Sequence, residues 1–111
     1  MIRQELRDSW SKLSFLEQMG NIGSEVGRAA QAEGKNSERF NFAVHRALEL
    51  FDLTISDSRW RGRLREIGLA KELFCYAVYG IDKFNTTLRD LESYFMQFAL
   101  AAQMERFSKT K

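Results

Sequence analysis

The run SFLEQMGNIGSEVGRAAQAEG, residues 14–34, decides how this chain folds. Ser14 stands three residues before Glu17. In that capping box the hydroxyl takes an orphan amide of the first helical turn and the carboxylate reaches back to the serine amide, so a helix is predicted to start near Phe15. Leu16, Met19, Ile22, Val26, Ala29 and Ala30 then recur at the three-and-four spacing of one helical face, and Gly34 supplies a stop. Gly20, Gly23 and Gly27 interrupt that face. Each costs about 1 kcal/mol of helix stability relative to alanine, so a packing reason is expected: a strip of small residues along which another backbone comes close.

The same periodicity continues outward. A second helix over residues 38–55 carries Phe40, Val44, Ala47, Leu48, Phe51 and Ile55 on one face, with Phe42, Leu50 and Leu53 roughly opposite. Asp57 or Ser58 is placed to cap a third helix over 59–79, with Trp60, Leu64, Ile67, Ala70, Phe74, Ala77 and Val78 inward and Gly80 closing it. Residues 81–86 read as the long connection. Thr87 and Asp90 then open a last helix whose seam is Leu88, Leu91, Phe95, Phe98 and Ala102, with Tyr94, Ala101 and Met104 on a second stripe. No segment alternates as a strand does. The expectation is an all-α, single-domain four-helix bundle over 1–111: residues 1–13 a short N-terminal arm or helix through Leu6 and Trp10, 14–107 the bundle, and 108–111 a frayed tail.

Composition agrees with that reading and removes several function classes. At 111 residues there is room for one core, and 44% apolar with 29% charged content is too hydrophobic for a disordered chain and too charged for a membrane one. Proline is absent, so the residue that most strongly interrupts helices is missing. Cys75, the sole cysteine, can form no intrachain disulfide and lies in the apolar run 73–78, as an inert buried thiol does. No stretch has the length of a spanning helix and residues 1–8 hold no signal core, so a cytoplasmic protein with no membrane partner is expected. The net charge of +2 is uneven: residues 1–57 hold seven Lys/Arg against nine Asp/Glu, and residues 58–111 hold ten against six. Arg59, Arg61, Arg63 and Arg65 form the one cluster suited to phosphate contact.

The blocks at 21–26, 46–57, 62–66 and 94–99 resemble the recurrent blocks of a family of small all-helical bacterial and archaeal proteins with no assigned activity. That resemblance implies a prokaryotic helical domain and no site. Residues 46–50 are faintly similar to the second helix of a tetratricopeptide hairpin, though a single unit is visible. Arg39 and His45, with five residues between them, resemble the Arg-x4-6-His signature of HEPN-type ribonucleases. In such an enzyme the histidine would act on the 2′-hydroxyl or leaving group while the arginine steadies the phosphate.

Residue by residue, catalysis finds little to build on. About 120° separates Arg39 from His45 on a regular helix, so they would converge only with a partner chain's pair. His45 and Glu49 are an i, i+4 pair, yet no Glu-x-x-His motif accompanies them, and no metal or cofactor is expected. Arg61 and Arg65 point outward on a helix, whereas Arg63 falls beside the apolar stripe within reach of Asp52 or Asp57. The dominant feature is surplus apolar surface, since three helices carry a second stripe. The expected function is a non-catalytic helical interaction module that self-associates, most simply as a homodimer, its partner being itself or another protein. The interface candidates are Gly20, Gly23, Gly27, Phe42, Leu50, Leu53, Tyr94 and Met104. The alternative is a nucleic-acid-binding protein using Arg61 and Arg65, or a HEPN-like ribonuclease using Arg39 and His45.

Overall fold

Ser14 starts its helix as the capping box requires. Its Oγ accepts from the Glu17 amide at 3.1 Å, and its own amide donates to Glu17 Oε1 at 2.9 Å. A computed structural model describes residues 4–80 and 85–109 and places them in five α-helices: α1 (Gln4–Ser11), α2 (Phe15–Ala32), α3 (Ser37–Ile55), α4 (Leu64–Tyr79) and α5 (Leu88–Lys109). The chain is all-α, with no strand among the described residues. Gly34 and Gly80 adopt φ of +74° and +70° at the ends of α2 and α4, a left-handed conformation that glycine reaches without steric cost. Asn36 Oδ1 accepts from the Arg39 amide and so starts α3, leaving a tight turn after α2. At α5 the Thr87 hydroxyl and the Asp90 carboxylate exchange bonds with each other's amides.

The third predicted helix is broken. Ser58–Arg63 form a 3-10 segment, and α4 begins only at Leu64. Asp57 takes both the Arg59 amide and its guanidinium, while Trp60 leaves helical geometry (φ −105°, ψ 25°) and turns its indole N–H onto Gln18 Oε1 at 2.9 Å. The register after the break leaves Leu64, expected inward, 42% exposed.

Helix α2 occupies the centre, with α3 and α5 packed along it, and α4 touches α3 and α5 more thinly. The chain's core joins Met19, Ile22 and Val26 of α2 to Ala47 and Phe51 of α3, Ile67 and Phe74 of α4, and Leu88, Leu91, Phe95 and Phe98 of α5. Aromatic rings of α3, α4 and α5 meet edge-on or tilted, Phe51 lying 5.8 Å from Phe74 and 6.0 Å from Phe95. Leu50 and Leu53 are buried too, so the second apolar side of α3 is covered by the chain's own helices at these two positions, while Phe42 stays exposed. The N-terminal segment is a helix whose Trp10 enters the core and donates to Thr54 Oγ1 at 3.0 Å. Helix α5 runs through Lys109, so Ser108, expected in a frayed tail, is helical. Of the expected connection at 81–86, residues 81–84 lie outside the described residues.

Candidate functional site

The glycines of α2 have their packing reason in α5. A Cβ on Gly20 would stand 3.2 Å from Ala99 Cα, one on Gly23 2.5 Å from Phe95 Cβ, and one on Gly27 2.7 Å from Glu92 Oε2. As α2 ascends through these positions α5 descends, so the two run antiparallel at close range. The missing side chains leave a second mark. On the outer side of the pair a groove of about 280 Å³ opens between Gly20, Gly23, Ser24, Gly27, Arg28 and Gln31 on one wall and Glu92, Phe95, Met96 and Ala99 on the other.

Helix α5 itself departs from the usual surface helix. Its inner seam of Leu88, Leu91, Phe95, Phe98 and Ala102 is buried as predicted. Its outer side carries Met96 and Leu100, each about half exposed, and Met104 and Phe107, each 73% exposed. Residues 93–104 hold no charged side chain. Twelve residues at 1.5 Å each make about 18 Å of helix without a charge on any side. Three of the twelve, Ser93, Gln97 and Gln103, are polar and exposed, and between them Met96, Leu100 and Met104 meet solvent.

The other predicted interface residues are scattered. Phe42 is 72% exposed at the start of α3, where it borders a cleft of about 1120 Å³ with Glu25, Arg28 and Arg39. Tyr94 is half-buried with its hydroxyl 3.4 Å from Glu66, and burial together with that carboxylate pushes its pKa up. Leu50 and Leu53 are internal. Met96, Leu100 and Phe107 belong to neither apolar stripe predicted for this helix, although the uncharged run 93–104 was visible in the sequence as a signal.

The residues of the alternative reading do not converge within one chain. Arg39 lines the cleft beside Phe42, whereas His45, largely exposed, lines a separate pocket with Phe40, Leu48 and Tyr79. His45 Nε2 lies 3.8 Å from Glu49. Arg61 and Arg65 are exposed and meet no carboxylate among the described residues. Arg63 reaches neither Asp52 nor Asp57: Lys71 holds the first and Arg59 the second, both at 2.7 Å. Its guanidinium instead lies 4.0 Å over the Phe15 ring and 3.3 Å from Glu66. Burial pushes the Cys75 thiol up, away from the thiolate a nucleophile needs. No group of three or more metal-ligating side chains occurs among the described residues, and none of the described helices is long and apolar enough to cross a membrane. Set against protein-family models, curated proteins and solved structures, the chain matches none.

Proposed function

We propose that this chain is a non-catalytic interaction module, a four-helix bundle of α2–α5 carrying α1 as its N-terminal arm, which pairs with a second copy through the outer side of α5. One observation carries the reading: the charge-free run 93–104, with Met96, Leu100 and Met104 in solvent beside a groove. An exposed apolar patch of that kind marks an interaction surface, and a closed two-fold pair covers it on both chains at once. The ribonuclease and nucleic-acid readings have less support. Arg39 and His45 line different clefts, and two arginines make few phosphate contacts.

Light scattering on a sizing column, at a micromolar loading and after tenfold dilution, tests the proposal. The expected mass is twice 12.9 kDa, and Leu100→Glu is expected to return it to the monomer value by placing a carboxylate in the middle of the paired face. A wild-type chain that elutes as a monomer at both loadings overturns the reading.

A further inference from the structure

The outer side of α5 is nearly the same read in either direction. From Leu100 the chain meets alanine on both sides (Ala99, Ala101), glutamine three residues away (Gln97, Gln103) and methionine four residues away (Met96, Met104). The relief of the surface is not symmetric in that way. The groove lies at the level of Glu92, Phe95, Met96 and Ala99, before Leu100, while Met104, the more protruding methionine, follows it by one turn.

From this relief we infer that two copies dock with their α5 helices antiparallel about a two-fold axis at Leu100, each lodging Met104 in the partner's glycine-walled groove. The inference rests on the self-association proposed above and adds its geometry. An antiparallel two-fold at Leu100 sets each position opposite the one equally far on the other side, so Met104 arrives at the partner's Met96 and the recess beside it. A parallel pair sets Met104 against Met104 and leaves both grooves empty. Only the antiparallel arrangement marries protrusion to recess twice over, as an isologous interface must. Methionine, unbranched and flexible, suits an irregular recess.

Charge and ridge geometry are compatible with this arrangement. Met96, Leu100 and Met104 form a ridge of spacing four, and two such ridges interlock at a crossing angle near −50°, which limits contact to a few turns around the crossing point. The uncharged run covers that length; Arg89, Asp90, Glu92, Glu105 and Arg106 fall to either side of it, and Glu92 and Arg28 border the groove at its far end.

Thiol linking in a Cys75→Ser background tests the geometry, with circular dichroism to verify helix content and light scattering to verify mass. Leu100→Cys is expected to oxidise to a covalent dimer, because the axis brings the two copies of that position together. A mixture of Ser24→Cys and Met104→Cys chains is expected to join through a short bis-maleimide. Met104→Cys alone is not, since its two copies stand about 12 Å apart along the helices. Self-linking of Met104→Cys with no linking in the mixture means a parallel pair and overturns the inference while self-association stands. A dimeric mass with no linking at any of these positions places the interface elsewhere and overturns the inference in the same way. A monomeric wild-type chain defeats the underlying reading instead.

Discussion

Gln18 is a polar residue with no exposure to solvent, and it survives in the core because each end is used. Its Nε2 donates to the Trp10 carbonyl at 2.9 Å and to Asp57 Oδ2 at 3.2 Å, and its Oε1 accepts from Trp60. Gln18→Leu is expected to lose about 1–3 kcal/mol in urea unfolding, because it strands the Trp60 indole N–H and removes the bonds to Asp57 and to the Trp10 carbonyl, which keeps only the Leu13 amide. Asp57 is the charged end of the same network. The Arg59 guanidinium bonded to it holds its pKa at about 2, against an ordinary value of 3.8, with burial opposing. A carboxylate depressed in the folded state contributes stability that is fully present above the unfolded value and lost as pH falls through the folded one. Thermal melts from pH 7 to pH 2 are therefore expected to show Asp57→Asn destabilised at pH 7, with a shallower loss than wild type between about pH 4 and pH 2.

Elements differ in what a glycine means to them. In α2, Gly23→Ala drives a Cβ to 2.5 Å from Phe95 Cβ, the stem of a core side chain and not a movable tip. The gain in helix propensity is outweighed, and a net loss of about 1–3 kcal/mol is expected. In α4, Gly68→Ala meets nothing within 4 Å, so a gain of about 0.5–1 kcal/mol is expected from propensity alone. Urea midpoints of the two variants, moving in opposite directions, check both. Helix starts and stops were legible in the sequence, because Ser14, Asn36, Gly34 and Gly80 act on their own neighbours. The break at Ser58–Arg63 was not. It accompanies the Trp60 bond to Gln18, forty-two residues upstream, and no local periodicity contains that partner. Arg63 departs from expectation because its two expected carboxylates are already held, Asp57 by Arg59 and Asp52 by Lys71.

At the scale of the whole molecule, pairing through α5 couples folding to concentration. A tenfold dilution is expected to lower the wild-type melting midpoint and to leave that of Leu100→Glu unmoved, since only a chain that associates is stabilised by mass action. Surplus apolar surface was legible in the sequence, but its place was not. Leu50 and Leu53 looked surplus on an isolated α3 and prove to be shared among helices of the same chain, whereas Met96 and Leu100 lie outside both stripes read for the last helix and are the ones left in solvent. The groove could not be read at all. It exists only once Gly20, Gly23 and Gly27 are laid antiparallel to Phe95 and Ala99, which is a property of two helices together.

The close approach of α2 and α5 also bears on inheritance. Every amino acid other than glycine carries a Cβ, so position 23 has no mild replacement: the smallest change already meets Phe95. Most positions in a helix drift by degrees, whereas this one changes in a single step or stays. A chain descended from this one is expected to keep glycine at 23 or to alter Phe95 along with it, and a survey of natural variants pairing those two positions would read out the contact as co-variation.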